Sequence, residues 1–285
     1  MNKDILTLID EKYNDFSKSQ RLIADYIKTN FEKTAYMTAG SLSAKIGISE
    51  ATMVRFASVL GFDGYPSFQK MLQKNVKNKL TSMQRMELAL EKIGSHDLLQ
   101  EVLKSDISAI EKTLSQTDKS NFEKAVSAIS SGKKIFITGV RSAAALAEFA
   151  GFYLNLIFEN VRVIKTTGGD GLFEQLLSVS EGDVIIGISF PRYSKNTVKA
   201  LEYAKKNGAT VIGITDSEYS PVAKTSHISL IAESETTSFV DSLTAPFSLI
   251  NALIVAVVMN NRDIVSHNFE KLEQIWDEYE VYDKK

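Results

Sequence analysis

Short runs of β-branched and other apolar residues recur after residue 132, and helical patterns separate most of them. Such alternation is typical of βαβ units, in which a helix covers the sheet between two parallel strands. The sequence therefore predicts an α/β fold with a parallel sheet in this part of the chain. The predicted strands are Ile135–Thr138, Val161–Ile164, Val184–Ser189, Thr210–Thr215 and Ile228–Ile231.

Apolar residues recur at helical spacing between and after these strands, which predicts helices in those segments. Residues 252–259 form the longest apolar stretch, and serine and asparagine interrupt the pattern around it, so it is too short to span a bilayer. We interpret it as part of a buried helix. The predicted helices are Ser142–Phe158, Gly171–Val179, Lys195–Asn207, a long helix from about Phe239, and roughly Ile264–Tyr279, which contains the only tryptophan.

The amino-terminal region has a different pattern, two short helices joined at Gly47. Glycine can adopt the positive φ that ends a helix, and Ser49 can cap the next helix through its hydroxyl. The second helix is expected to bury Met53 or Val54, together with Ala57 and Leu60. The pattern thus predicts a helix-turn-helix, within an all-helical amino-terminal domain.

The open side of this second helix suits the major groove of DNA, because it starts with short polar groups and carries an arginine. A helix pair joined by glycine can also be only a packing unit. Residues 1–80 hold 12 lysines and arginines against 8 acidic residues, while the rest of the chain holds 21 against 27. A basic module on an acidic protein favours binding to a polyanion. The candidate DNA-binding residues are Lys45, Ser49, Glu50, Thr52 and Arg55.

With 285 residues, of which 44% are hydrophobic, the chain is long enough for two domains. We predict a DNA-binding domain over residues 1–77, a linker helix over 78–97, and an effector-binding and oligomerisation domain over 98–285. The chain has no cysteine, which excludes disulfides, thiolate metal sites and cysteine nucleophiles. The amino terminus lacks the apolar core of a secretory signal, so we expect a cytoplasmic protein. The three histidines, His96, His227 and His267, have no metal-ligand spacing, and we predict neither a metal nor a cofactor.

Two loops at predicted strand ends could bind an anion. In open parallel sheets the ligand lies beyond the carboxyl ends of the strands, where helix amino termini favour negative charge. Residues 138–142 and 189–197 offer hydroxyl groups, the amides of helix starts and two arginines there. Neither a dinucleotide-binding glycine motif nor a Walker loop is present. A small phosphorylated or carboxylated metabolite therefore fits better than a nucleotide.

Three segments carry a family resemblance: residues 19–27 (SQRLIADYI), 48–56 (ISEATMVRF) and 60–68 (LGFDGYPSF). They closely resemble the helix-turn-helix domain of the RpiR/MurR family of bacterial transcriptional regulators. The rest of the chain resembles the sugar isomerase (SIS) domain, a flavodoxin-like or Rossmann-like fold, that accompanies it in this family. The resemblance implies a homodimeric or homotetrameric regulator that binds operator DNA and senses a metabolite, typically a sugar phosphate.

The resemblance also implies which residues hold the phosphate. Ser142 matches the serine after the first glycine-rich loop, and Ser189, Ser194 and Thr197 align with the second motif. Arg141 and Arg192 stand where the family usually has glycine or another small residue. Each arginine could hold a phosphate or carboxylate in bidentate fashion, or form a structural ion pair at a subunit contact.

Weaker candidates surround this set. Glu233 or Glu235 could accept hydrogen bonds from sugar hydroxyls, residues 166–169 could line the far side of the ligand, and Ser238 or Ser242 could serve at the next helix start. The predicted ligand-binding residues are Arg141, Ser142, Ser189, Arg192, Ser194, Thr197 and Glu233.

The predicted function is that of a regulator, a repressor of carbohydrate-metabolism genes, and not of an enzyme. Two alternatives remain. SIS folds also serve sugar-phosphate isomerases, which need a general base such as Glu233 or His227. The sensor domain could instead have lost its ligand and only oligomerise.

Overall fold

The computed structural model of the chain describes residues 5–79, 83, 97–165, 171–234 and 240–282. Two compact units are present, residues 1–92 and residues 93–285. The described part of the first unit is helical, and the second contains the parallel sheet, so the predicted α/β fold with a helical amino-terminal domain is confirmed. Nearly all of the predicted linker, residues 78–97, lies outside the described residues, and the predicted domain limits remain predictions.

The first unit packs its helices around a cluster of aromatic rings. Phe56 lies 5.2 Å from Phe16 and 5.9 Å from Phe68, measured between ring centroids, and all three side chains are buried. Such ring pairs stabilise a core by more than the burial of their apolar area alone provides. The helices are α1 Ile5–Lys12, α2 Lys18–Thr29, α3 Phe31–Thr34, α4 Ala39–Ile46, α5 Glu50–Val59 and α6 Tyr65–Lys79, with a 3-10 turn over Tyr13–Asp15.

Helix α6 binds the loop between α3 and α4 through three side chains. The Tyr65 hydroxyl and the Gln69 amide both donate to the carbonyl of Met37, at 2.7 and 2.8 Å, and the Gln73 amide donates to the carbonyl of Ala35 at 3.1 Å. Burial raises the pKa of Tyr65 to about 12, so its hydroxyl remains a donor at neutral pH. These bonds fix the chain just before α4.

The second unit is built on a five-stranded parallel sheet of order β2-β1-β3-β4-β5. This is the flavodoxin-like order, whose topological switch point lies between β1 and β3. The strands are β1 Ile135–Gly139, β2 Val161–Ile164, β3 Val184–Ile188, β4 Thr210–Thr215 and β5 Ile228–Ile231. The helices are α7 Leu98–Gln116, α8 Lys119–Ser131, α9 Ser142–Ile157, α10 Leu172–Gln175, α11 Lys195–Lys206, α12 Pro221–Thr225, α13 Thr244–Asn260 and α14 Arg262–Glu278.

Helices cover both faces of this sheet. On one face, α8, α9 and α13 pack over the side of β1 that carries Ile135 and Ile137. On the other face, α10, α11 and α12 pack over the side that carries Phe136. On that second face a Cβ added at Gly187 would lie 2.6 Å from Leu201, so α11 approaches β3 more closely than any side chain there would allow.

Two predicted helices were wrong in their limits. The segment predicted as Gly171–Val179 is helical only over Leu172–Gln175, after which Leu176 and Val179 are drawn into the core. The helix predicted from about Phe239 begins at Thr244. Pro246 explains this start, because it lacks the N–H that an earlier helix would need to bond the carbonyl of Ser242.

The sequence reasoning also missed α12, a five-residue helix. Ser220 caps it by accepting a hydrogen bond from the Ala223 N–H at 3.0 Å, and Pro221 occupies its first turn. A serine followed by proline is a recognised helix start, so the signal was present. No single helix in the described ranges has the length and apolar character needed to cross a membrane. Helices α13 and α14, which meet at a bend of 99°, meet that requirement only when taken together, and by length and composition alone.

Candidate functional site

The turn between α4 and α5 has the predicted geometry. Gly47 ends α4 with a φ of 80°, and its N–H donates to the carbonyl of Ser43 at 2.9 Å. Ser49 caps α5, since its hydroxyl accepts a hydrogen bond from the Thr52 N–H at 3.3 Å. Residues 39–59 therefore form two helices joined by a tight turn.

The exposed side of α5 carries the predicted polar residues at its amino-terminal end. Ser49, Glu50 and Arg55 are exposed, and the Ser49 hydroxyl lies 2.8 Å from that of Thr52. Arg55 reaches back over this end of the helix, with its Nη2 atom 3.5 Å from the Thr52 hydroxyl. This exposed end of α5 therefore carries hydroxyl groups and a guanidinium, as predicted from the sequence.

The buried side of α5 settles one alternative in the prediction. Met53, Phe56, Ala57 and Leu60 are buried, whereas Val54 is 40% exposed. Met53, not Val54, therefore faces the core, and Phe56 was missed as a core residue although it lies three residues after Met53.

Lys45 and Glu50 flank this face differently. Lys45 is exposed in the last turn of α4. The Glu50 carboxylate lies over the start of α4, with its Oε2 atom 3.6 Å from the position that a Cβ on Gly40 would occupy. A carboxylate near the amino end of a helix is favourable for the helix dipole. Glu50 therefore has a structural contact, in addition to its predicted role in reading DNA.

In the second unit, the two predicted loops start side by side at the switch point of the sheet. Gly139, at the end of β1, pairs in register with Ile188, at the end of β3. Neighbouring strands lie about 4.8 Å apart, so the loops that follow face one crevice. The first loop leads into α9 on one face of the sheet, and the second leads into α11 on the other.

The first loop is unusually tight. A Cβ on Gly139 would collide with the carbonyl of Ala143, so only glycine allows α9 to start this close to β1. Arg141 takes a φ of 58° and a ψ of −126° immediately before α9, a conformation that costs a residue with a side chain of the order of 1–3 kcal/mol. Arg141 and Ser142 are both exposed at the crevice.

The second loop is held by its own hydroxyl groups. Ser189 is buried, and its hydroxyl accepts a hydrogen bond from the Ser194 N–H at 3.0 Å. Ser194 caps α11 by accepting from the Thr197 N–H at 3.4 Å. A hydroxyl that accepts one bond can still donate its own hydrogen. Arg192 lies exposed between these two serines.

Tyr193 ties this loop to the end of β4, a contact that the sequence did not suggest. Its hydroxyl donates to the Asp216 carboxylate at 2.7 Å. Burial, and then the charge of Asp216, raise the pKa of Tyr193 far above its usual range. The tyrosine therefore remains protonated and anchors the loop that carries Arg192.

A row of buried hydroxyls underlies the crevice. Thr138, Ser189 and Thr215 stand at or just after the ends of β1, β3 and β4, and each is almost completely buried. The hydroxyls of Thr138 and of Thr197, in the first turn of α11, have no hydrogen-bond partner within the described ranges. Thr138 belongs to the first predicted loop, whereas Thr215 was not predicted as part of the site, although a hydroxyl residue at the end of an otherwise apolar strand is a visible signal.

Glu233 lies at the same edge of the sheet but away from the switch point. It follows β5, and β4 separates that strand from β3. Its backbone N–H donates to the hydroxyl of Thr113 on α7 at 2.9 Å. Ser242 donates to Asp106 and accepts from the Thr244 N–H, so it has a structural role before α13. Residues 166–169, Glu235 and Ser238 lie outside the described residues.

The histidines give no sign of a metal site. His227 accepts a hydrogen bond at Nδ1 from the Val211 N–H at 3.0 Å, and burial, followed by the charge of Lys205, lowers its pKa. His267 is exposed on α14, and His96 lies outside the described residues. Within the described ranges, no group of three His, Asp, Glu or Cys side chains could hold a metal ion.

Comparison with known proteins agrees with this division. The family described as "Helix-turn-helix domain, rpiR family" matches residues 3–79, and the SIS domain matches residues 128–256. A relative from Haemophilus influenzae, described as an uncharacterized HTH-type transcriptional regulator, is 28% identical over 224 residues, which cover 78% of this chain and 77% of that protein.

Two solved structures are similar. The sugar isomerase domain of an RpiR transcription factor from Sphaerobacter thermophilus has a TM-score of 0.60 and 28% identity, and it covers 63% of this chain and 99% of that one. The NanR protein of Vibrio vulnificus, complexed with ManNAc-6P, has a TM-score of 0.57 and 20% identity over 95% of this chain and 98% of that one.

A basic helix-turn-helix unit followed by a SIS domain defines a two-domain transcriptional regulator that binds DNA. The chain belongs to the RpiR family of these regulators.

Proposed function

We propose that this protein represses carbohydrate-metabolism genes and that a small anionic metabolite, a sugar phosphate or sugar acid, controls it. The arrangement of α5 carries the DNA half of this proposal. Arg55, Thr52 and Ser49 lie together at its exposed end, where a major-groove helix contacts base edges. Lys45 and Glu50 flank them, and Lys45 is suited to a phosphate contact.

The crevice at the switch point carries the effector half. Ser194 and the first-turn amides of α11 offer donors on one side, and Ser142 offers a hydroxyl at the start of α9 on the other. Arg141 and Arg192 supply two guanidinium groups from the same two loops. Such groups bind phosphate or carboxylate in bidentate fashion. Ser189 and Thr197 are buried beneath the anion: the Ser189 hydroxyl also holds the loop through the Ser194 N–H, and the Thr197 hydroxyl, which has no partner within the described ranges, can donate to the ligand.

A structural neighbour supports the class of effector. NanR of Vibrio vulnificus has the same fold over nearly the whole chain and was solved with ManNAc-6P. The arginines at positions 141 and 192 favour an effector at least as anionic as that compound. We propose that Glu233, two strands from the switch point, contacts a hydroxyl group of a sugar that extends from the crevice towards β5.

Control of DNA binding requires that the effector bind two conformations of the protein with different affinity. We propose a cytoplasmic homodimer or homotetramer, in which paired SIS domains set the spacing between two helix-turn-helix units. The effector alters this spacing and so releases the operator. Half-sites are read in pairs about one helical turn apart, so a change of a few ångströms is sufficient.

Two substitutions test the two halves separately. Arg55→Ala should weaken operator binding at least tenfold, because it removes a base or phosphate contact. Arg192→Ala should leave operator affinity unchanged and remove the response to effector. Fluorescence anisotropy with an operator duplex, with and without candidate sugar phosphates and sugar acids, measures both. A normal effector response in Arg192→Ala would refute its ligand role.

Catalysis is the main alternative, because SIS folds also occur in isomerases. An isomerase needs a general base beside the substrate, and the residues considered for this are poorly placed. The Nδ1 atom of His227 is bonded to the Val211 N–H, and Glu233 lies two strands from the switch point. We propose that the protein is not an enzyme. Interconversion of any added aldose and ketose phosphate would disprove this.

A SIS domain that only oligomerises is the remaining alternative. Within the described ranges the buried hydroxyls of Thr138 and Thr197 have no hydrogen-bond partner, and Arg141 is strained. Both features argue against this alternative, since a site without a ligand has no need of them. A thermal-shift screen with phosphorylated sugars and sugar acids decides the matter, because a ligand that binds only the folded state raises its melting temperature. The absence of any shift at millimolar concentration would favour the alternative.

A further inference from the structure

Helix α7, at the start of the second unit, has an apolar face that its own chain leaves exposed. Leu103, Ile107, Ile110 and Leu114 are 51%, 57%, 37% and 79% exposed. We call these four residues the α7 apolar face. Their spacing of four, three and four residues places them along one side of the helix. A soluble protein rarely exposes such a continuous stripe unless a partner covers it.

One flank of α7, beside this apolar face, already serves the core of the unit. Ala109 and Thr113 are buried, and Thr113 is bonded both to the carbonyl of Ala109 and to the backbone of Glu233. Asp106 accepts hydrogen bonds from Ser242 and Thr244 before α13. The helix is therefore fixed on the domain by this flank, and the apolar face beside it stays exposed.

We propose that the α7 apolar face binds the same face of α7 in a second copy of this chain, with the two helices antiparallel. The spacing of the four residues is that of the core positions of a coiled coil, so one face can fill the gaps of another. In an antiparallel pair, layers would form between Leu103 and Leu114 of the other copy and between Ile107 and Ile110.

The charges beside the apolar face select this partner and this orientation. Lys104 and Glu111 each follow a core position by one residue, so they line the same flank of the face, and both are exposed. Two turns separate them, about 10 Å, which is too far for them to pair within one helix. In an antiparallel pair the same flanks meet, so Lys104 of each copy lies near Glu111 of the other. A parallel pair loses this match.

The inference rests on the proposed homo-oligomer and names its surface, so the test must separate the two. The chain has no cysteine, which allows specific cross-linking at introduced thiols. Full-length Leu103→Cys and Leu114→Cys variants, mixed and oxidised, should form cross-linked dimers between the two variants. Either variant alone should not, because its two thiols would stand about 16 Å apart along the antiparallel pair. Self-cross-linking of each variant would instead show a parallel pair and overturn the proposal.

Charge exchange gives a second measurement that does not need a thiol. Sedimentation equilibrium at low salt should show a dimer whose dissociation constant rises about tenfold for Lys104→Glu or for Glu111→Lys, because two pairs become repulsive. The double variant should return to within about twofold of wild type. Lys112→Glu, an equal charge change off this flank, is the control and should have little effect.

The outcomes distinguish the two claims. A dimer that withstands Ile107→Asp and shows no cross-link in the mixture would overturn the α7 interface and leave the proposed oligomer standing. A wild-type chain that sediments as a monomer at micromolar concentration would overturn both. Operator affinity and effector response are measured on the same variants. If the protein dimerised through α7 but bound neither operator nor effector, the proposed regulatory function would be refuted and the α7 interface would stand.

Discussion

The hydroxyl of Ser189 holds the backbone N–H of Ser194 at 3.0 Å, across the loop that carries Arg192 and Tyr193. This bond fixes the start of α11, and with it the amides that face the crevice. Ser189, which the family motif predicts to contact the ligand, therefore also fixes the conformation of the loop. Its hydroxyl can donate to a ligand only from a buried position.

Ser189→Ala should consequently damage effector binding through the loop. The substitution leaves the Ser194 N–H without its acceptor, at a cost of about 1–3 kcal/mol. We expect the effector dissociation constant to rise at least tenfold, while operator affinity in the absence of effector stays unchanged. Isothermal titration calorimetry and anisotropy measure the two. Ser127→Ala, at an exposed serine of α8, is the control.

Arg141→Gly should stabilise the second unit and weaken effector binding. Glycine adopts the φ of 58° without strain, which removes a cost of about 1–3 kcal/mol. For a unit of this size the melting temperature should rise by several degrees. If Arg141 formed only a structural ion pair, the same variant would keep its affinity for the effector. Differential scanning fluorimetry with and without effector separates the two roles.

Gly47→Ala should destabilise the first unit by about 1 kcal/mol or more, because alanine resists a φ of 80°. A Cβ at this position would meet no atom within 4 Å, so the cost comes from the backbone alone. Gly47→Asn is the matched control, since asparagine tolerates the left-handed conformation better. Urea unfolding should rank wild type above the asparagine variant and the alanine variant last.

The second unit should lose stability in acid through His227. Its pKa is lowered in the fold, because of burial and of Lys205, so the unfolded chain binds the proton more readily. Stability is therefore complete above about pH 6.5, the pKa of the unfolded histidine. It falls as the pH drops below that value and levels off below the folded pKa.

His227→Asn offers an oxygen acceptor to the Val211 N–H and has no proton to gain. Urea unfolding at several pH values between 5 and 7.5 should show a slope near pH 6 in the wild type. The slope should be smaller in this variant. Equal slopes would mean that other groups cause the dependence.

The parts of the fold that could be predicted depend on local pattern. All five strands were found to within one residue, because short runs rich in β-branched residues, such as VIIGI, favour strands and alternate here with helical patterns. The turn at Gly47 and the cap at Ser49 were predictable for the same reason, since both act through adjacent residues. The early end of α10 was not, because Leu176 and Val179 leave the helix to fill a core that is built from distant strands.

The candidate site divides in the same way. Residues in the two motifs lie where the sequence predicted, in loops that adjoin across β1 and β3. The contacts between motifs could not be predicted: Tyr193 bonds Asp216, which lies 23 residues away on the next strand end. The residues of the α7 apolar face also follow one another at helical spacing in the sequence, but such spacing cannot tell a face that packs within the chain from one that does not.

Helix α6 has three side chains bonded to the carbonyls of Met37 and Ala35. Rotation or axial shift of this helix must either carry residues 35–37 with it or break bonds worth about 1 kcal/mol each. Since α4 begins two residues later, the same displacement is passed to the helix that supports α5. Movements of α6 and of the α4–α5 pair are therefore mechanically coupled within this unit.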